Sequence, residues 1–275
     1  MARFIVGDIH GSYDRLMTAL ELCKFSDSDT LYCTGDIGDR GPKVKECIDF
    51  LMALGSRFKS VIGNHDVWAY QYLAGTLNRC SSDIWEYNGG LNTETALFNM
   101  NNKEEVAAWY GSFPYIIEES DFRLIHTLTY TRKLDKSKVP LSEITMKNID
   151  NSGIMDNSFG YDSELFDRHI LYRSKYFNKE LYKSEYFNKE FPYLELAKEE
   201  CSLLDNKLAI VGHTPITGGV LYDKKMNVCD IDTGGFCTYK KNKYEGKITV
   251  LNIDTKDFVD SSGFSSNLEA IQVLY

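Results

Sequence analysis

The chain has 275 residues, 43% of them hydrophobic and 26% charged, with a net charge of -9. That suffices for a sizeable core, but no run approaches the roughly 18 apolar residues of a transmembrane helix, which argues against a membrane partner. The acidic balance disfavours nucleic acid as the main partner, and seven cysteines without a C-x-x-C pair argue against a disulfide framework and a zinc knuckle.

Taken in order, residues 2–6 form an apolar strand at once, with no basic-then-apolar leader, so a cytoplasmic protein is expected. A helix is predicted from an N-cap at Ser12 to about Cys23. A strand over 30–34 precedes a helix opened by Pro42 and running to about Leu54. A strand over 58–62 precedes a third helical pattern from His65 onward. This alternation implies a parallel sheet with right-handed crossovers, and such sheets bind ligands at the carboxyl ends of their strands. Residues 78–113 are mostly helical in pattern, with a break at Asn88-Gly89-Gly90. Residues 115–118 and 122–125 predict a hairpin-like strand pair ending at His126.

No Pro/Gly/Ser-rich linker divides the chain, so a single domain over 1–275 is expected, with a helical or loop insert at about 129–204. Inside the insert, Ser174-Lys175-Tyr176-Phe177-Asn178-Lys179-Glu180 recurs as Ser184-Glu185-Tyr186-Phe187-Asn188-Lys189-Glu190. Two copies are too few for a solenoid. They lengthen a surface element or present Tyr176 and Tyr186 to a partner. Strand-like runs follow at 208–211, 220–222, 228–231 and 247–253, so the C-terminal part is mainly β.

The chemistry gathers at the strand ends. Gly35-Asp36-Ile37-Gly38-Asp39-Arg40-Gly41 sets two carboxylates and an arginine among three glycines. The Asp36 carboxylate has two oxygens and can join two cations, while Arg40 offers a planar fork of donors suited to phosphate. Asp8 and His10, two apart, point the same way and can meet one cation. Of five histidines, four (His10, His65, His126 and His213) follow short apolar runs; His169 lies in a polar segment and is assigned no role. Asp8, His10 and Asp36 would form one metal site, and Asp36, Asn64, His126 and His213 a second. Oxygen and imidazole donors without thiolate suit Mn²⁺ first, with Fe or Zn²⁺ as alternatives. Sharing one carboxylate would place the cations roughly 3.5–4 Å apart, the spacing used for displacement at phosphorus.

The ordered set Gly7-Asp8-Ile9-His10-Gly11, Gly35 to Gly41, Gly63-Asn64-His65-Asp66, Ile125-His126-Thr127 and Gly212-His213-Thr214-Pro215 resembles the metallophosphoesterase superfamily. It is most similar to the phosphoprotein phosphatase branch that includes the bacteriophage lambda-type serine/threonine phosphatases. Trp85, Asn88, Gly89, Gly90 and Thr93 resemble a segment of those small enzymes. The resemblance implies an α/β fold of two mixed β-sheets in a sandwich flanked by helices. It also implies that Arg40 and Asn64 bind phosphate oxygens, that His65, oriented by Asp66, protonates the leaving group, and that a second phosphate-binding arginine is Arg173, or else Arg168.

The expected reaction is hydrolysis of phosphate monoesters, foremost phosphoserine and phosphothreonine in proteins, by water activated between two cations. The substrate would be a phosphoprotein or a small phosphorylated molecule. Asp66 stands where the phosphatases carry Glu and matches dinucleoside tetraphosphate hydrolases, so hydrolysis of diadenosine tetraphosphate is the alternative. A metal-dependent nuclease and a non-catalytic scaffold are the remaining readings.

Overall fold

On the first strand, β1 (Arg3–Val6), Ile5 belongs to one buried cluster while Phe4 and Val6 belong to another. A strand apolar on both faces requires cover on both, and the computed structural model supplies it. It describes residues 1–127, 145, 207–216, 219–224, 227–239 and 244–271. Apart from residue 145, the expected insert, with its tandem repeat, Arg168, His169 and Arg173, lies outside the described residues.

In chain order, β1 is followed by α1 (Tyr13–Leu22), β2 (Thr30–Cys33), α2 (Val44–Ala53), β3 (Phe58–Ser60) and α3 (Asn64–Leu73). Three further helices, α4 (Arg79–Tyr87), α5 (Leu91–Phe98) and α6 (Lys103–Gly111), lead to the hairpin of β4 (Ile116–Glu118) and β5 (Phe122–Ile125). Then come β6 (Leu208–Val211), β7 (Leu221–Asp223), β8 (Val228–Asp230), the short pair β9 (Thr238–Tyr239) and β10 (Tyr244–Glu245), and β11 (Thr249–Asn252), β12 (Asp257–Asp260) and β13 (Ser265–Asn267).

One sheet runs β13-β12-β11-β1-β2-β3 and the other β4-β5-β6-β8-β7. Both are mixed. β1, β2 and β3 are parallel, with β11 antiparallel to β1. β5, β6 and β8 are parallel, with β4 and β7 antiparallel at the margins. Ile5, Tyr32, Val61 and Leu251 of the first sheet share a cluster with Phe122, Leu124, Ile210 and Cys229 of the second. The other cluster joins Phe4 and Val6 to Leu16 and Leu20 of α1 and to Ile48 and Leu51 of α2. This is the expected α/β sandwich flanked by helices.

Local details depart from expectation. Ser12 does precede α1, but its hydroxyl donates to the His10 carbonyl at 3.4 Å and caps no amide. Pro42 does not open α2, which starts at Val44. The amides of Gly41 and Lys43 donate instead to the carbonyls of His10 and Gly11, so the chain around Pro42 stays a loop tied to the first strand end. The expected strand over 247–253 begins only at Thr249, and β12 and β13 were not foreseen. β13, polar throughout, sits at the sheet margin, where pairing needs no apolar alternation.

The outcome for function is geometric. In both sheets the parallel strands end at one place, where the Gly212 amide donates to the His126 carbonyl and the His213 amide donates to Asp8 Oδ2 at 2.9 Å.

Candidate metal centre

Each strand end turns sharply as it enters the site. His10, Asp36, Asp39, Arg40 and His213 all have positive φ, between 45° and 70°. Left-handed backbone at non-glycine residues costs on the order of 1 kcal/mol each and concentrates at functional sites. Two glycines permit the close approach that follows. A Cβ on Gly63 would overlap Asp36 Oδ1, and one on Gly212 would overlap Asp8 Oδ1.

Asp8, His10, Asp36, Asn64, His126 and His213 are all buried. Asp36 Oδ2 lies 3.5 Å from His10 Nε2 and 3.5 Å from His126 Nε2. His126 Nε2 is in turn 3.0 Å from Asn64 Oδ1 and 3.1 Å from His213 Nδ1. The opposite ring nitrogens are held by backbone: His10 Nδ1 donates to the Gly38 carbonyl at 2.8 Å and His126 Nδ1 to the Thr34 carbonyl at 2.7 Å. That tautomer leaves each Nε2 lone pair facing Asp36, the arrangement in which imidazoles bind cations.

Electrostatics agree with the geometry. Burial pushes the Asp36 carboxyl up, but His126, His65 and Arg40 outweigh it, and Asp36 stays below the usual carboxylate range. Burial, reinforced by the Arg40 charge, holds His10 well below the usual imidazole range and so neutral, as a ligand must be. Burial, with Asp232 and Asp36 nearby, pushes Asp8 well above its ordinary value. Three carboxylates in so small a buried volume need cationic partners, and the donor set fits two divalent ions.

Asp36 belongs to two groups of neighbouring donor atoms. Among the described residues, ligand atoms lie within 4.8 Å of one another in His10-Asp36-His65 and in Asp36-His126-His213. The Asp8 oxygens accept from Thr34 Oγ1, at 2.7 Å, and from the His213 amide. His65 Nε2 lies 3.9 Å from Asp36 Oδ2, at the edge of the first group.

The expected pairing of His65 with Asp66 does not occur. Asp66 accepts three backbone amides, from Asp36 at 2.8 Å, Ile37 at 3.0 Å and Gly63 at 3.0 Å. His65 Nδ1 pairs with Asp39 Oδ2. Trp85 Nε1 donates to the same oxygen at 2.7 Å, Thr93 Oγ1 accepts the Asp39 amide, and the Gly89 carbonyl accepts the Arg40 amide. The Trp85–Thr93 segment therefore serves as a clamp on the Asp39-Arg40 turn. Arg40 Nη1 reaches His10 Nε2 at 2.7 Å and Nη2 reaches His65 Nε2 at 3.0 Å. An asparagine at position 66 would offer one acceptor oxygen to three amides. Asp66→Asn is accordingly expected to lower unfolding free energy by about 1–3 kcal/mol in urea titration, while His65 keeps its Asp39 partner.

Two further residues at the site were not singled out in the sequence. Asp232 follows β8 as Asp8 follows β1, and its pattern of apolar strand, carboxylate and glycine repeats the signal seen at Asp8 and Asp36. Phe236 lies under Arg40, with the guanidinium carbon 4.3 Å from the ring centroid, and meets the His10 ring edge-on at 4.9 Å. No local pattern distinguishes it.

With buried carboxylate and imidazole donors gathered where two mixed sheets end, the site is one built for divalent cations. The family model of calcineurin-like phosphoesterases matches residues 1–217, and the chain belongs to that family. Among named relatives, it is 35% identical over 128 residues to the symmetrical bis(5'-nucleosyl)-tetraphosphatase of Vibrio vulnificus, covering 46% of this chain and 44% of that one. It is 29% identical over 181 residues to the enzyme of the same name from Vibrio campbellii, covering 64% of each. The matched stretch thus spans less than two thirds of either relative. In fold, it resembles the cold-active protein-tyrosine phosphatase of a psychrophilic Shewanella, with TM-score 0.61, 20% identity, and coverage of 97% of this chain and 80% of that one. Both the family and the paired cation-binding groups support a metal-dependent phosphoesterase.

Proposed function

We propose that this protein hydrolyses dinucleoside tetraphosphates symmetrically, one water and one substrate giving two nucleoside diphosphates. The observation that carries a two-cation reaction is the equal 3.5 Å approach of Asp36 Oδ2 to His10 Nε2 and His126 Nε2. The choice of an anhydride substrate over a phosphoprotein rests on the names of the relatives. That choice reverses the order expected from the sequence.

In this reading Asp8, His10 and Asp36 would hold one cation, and Asp36, Asn64, His126 and His213 the other, with Mn²⁺ as the first candidate. When bound, the two cations supply Lewis acidity that lowers the pKa of water and neutralises charge on the transferring phosphoryl group. The protein does the rest. Arg40 presents both terminal nitrogens to phosphate oxygens, held in place by the Gly89 and Asn88 carbonyls on one side and by the Phe236 ring on another. His65 donates a proton from Nε2 to the leaving oxygen, while Asp39 holds Nδ1 and fixes the orientation of the ring. Asp66 orients the loops through its three amide bonds and takes no part in proton transfer. A second phosphate-binding arginine would come from Arg173 or Arg168.

The test is a panel of diadenosine tetraphosphate, a phosphoserine peptide and p-nitrophenyl phosphate, run after chelation and Mn²⁺ add-back. Diadenosine tetraphosphate is expected to show the highest kcat/KM, by at least about 10-fold, with ADP as the sole nucleotide product. A higher kcat/KM on the phosphopeptide would return the assignment to a protein phosphatase, and undiminished turnover in excess EDTA would reject the cation centre.

A further inference from the structure

Arg40, whose guanidinium reaches His10 and His65, also lines a cleft of about 380 Å³ with Tyr13, Asp14, Arg15, Lys43 and Phe236. The volume falls within the range of small-molecule sites. Its charged residues are three cations and one carboxylate, a net +2 on a chain whose total is -9. Lys43 Nζ contacts Asp14 at 2.7 Å in a pair open to solvent, with side-chain exposures of 41% and 73%. That ammonium can exchange the carboxylate for a phosphate oxygen at little cost, since exposed ion pairs contribute little. Arg15 is steadier, held by the Gly235 carbonyl and by Glu245 at 3.0 Å. Aromatic surface comes from Tyr13 and from Phe236, whose ring contacts both Arg40 and His10.

A cleft sharing Arg40 with the cation centre receives whatever is covalently joined to the scissile phosphate. Cations there match a neighbour that is itself anionic, and flat apolar rings match a planar base. A phosphopeptide meets neither condition by necessity. We propose that this cleft binds the nucleoside diphosphate moiety adjoining the scissile phosphate, with Lys43 and Arg15 on its phosphates and Phe236 and Tyr13 against its base. The proposal rests on the dinucleotide reading above and names the part of the site that would select such a substrate.

Lys43→Glu tests it in the Mn²⁺-loaded protein. KM for diadenosine tetraphosphate is expected to rise about 10-fold or more, as for loss of one charged hydrogen bond, whereas KM for p-nitrophenyl phosphate rises less than about 2-fold. Lys43→Arg should restore the wild-type ratio. Calorimetric binding of ADP gives a readout independent of turnover and is expected to weaken by a similar factor in Lys43→Glu. Equal changes in both KM values, or ADP binding that does not depend on residue 43, would overturn the cleft assignment. Failure of the wild-type enzyme to cleave diadenosine tetraphosphate would instead reject the proposed reaction, and the ADP titration would still judge the cleft.

Discussion

Asp36→Asn is expected to lower turnover of p-nitrophenyl phosphate by about 10³-fold or more, equivalent to about 4 kcal/mol of transition-state stabilisation. The substitution is close to isosteric, and asparagine tolerates the left-handed backbone that Asp36 adopts at φ 53°. It keeps an oxygen for the His65 amide, which Asp36 Oδ1 accepts at 3.0 Å. What it removes is the charge on Oδ2, the atom that faces both His10 and His126. Bound Mn²⁺, measured by calorimetry, is expected to fall below two ions per chain with the far-UV circular dichroism unchanged. Two tightly bound ions and wild-type turnover in the variant would remove Asp36 from its bridging role.

The second large effect concerns the proton. His65→Ala is expected to lose about 10²–10⁴-fold on an alkyl phosphate such as phosphoserine and markedly less on an aryl phosphate, whose leaving group needs no proton. A nucleoside diphosphate is a better leaving group than an alkoxide, so the loss on a dinucleoside tetraphosphate should fall between. Asp39→Ala is expected to reproduce most of this pattern, since it deprives His65 Nδ1 of its partner and leaves Trp85 without the carboxylate it donates to. Equal losses on alkyl and aryl substrates would exclude proton donation by His65.

The positions of Asp8, His10, Asp36, Asn64, His126 and His213 were legible because each lies just beyond a short, largely apolar run that forms a strand of one of the two sheets. Polar residues just beyond such runs have nowhere to go except the carboxyl edge of the sheet. The partner of His65 was not legible in the same way. His65 and Asp66 are adjacent in sequence, but both lie in α3, and consecutive residues on a helix do not face each other. The partner comes from the loop after β2, 26 positions earlier, fixed there by a tryptophan from α4. The clamp residues Trp85, Asn88, Gly89 and Thr93 carried a family likeness without a reason, and their contacts with Asp39 and Arg40 give one. β12 and β13 escaped notice for different reasons: β12 is four residues with an aspartate at each end, and β13, polar and at the sheet edge, lacks the alternation that marks inner strands. Phe236 is invisible from sequence because its importance is entirely positional.

β1 takes a neighbour on each side from opposite ends of the chain: β2 pairs Ile5 with Tyr32, and β11 pairs Ile5 with Leu251. During synthesis the strand beneath Asp8 therefore keeps one bare flank until some 250 residues have left the ribosome. Such an unzipped flank is sticky, and long-range closure of this kind is slow. The sheet that carries Asp8 is thus closed only when the late strands arrive to seal the early ones.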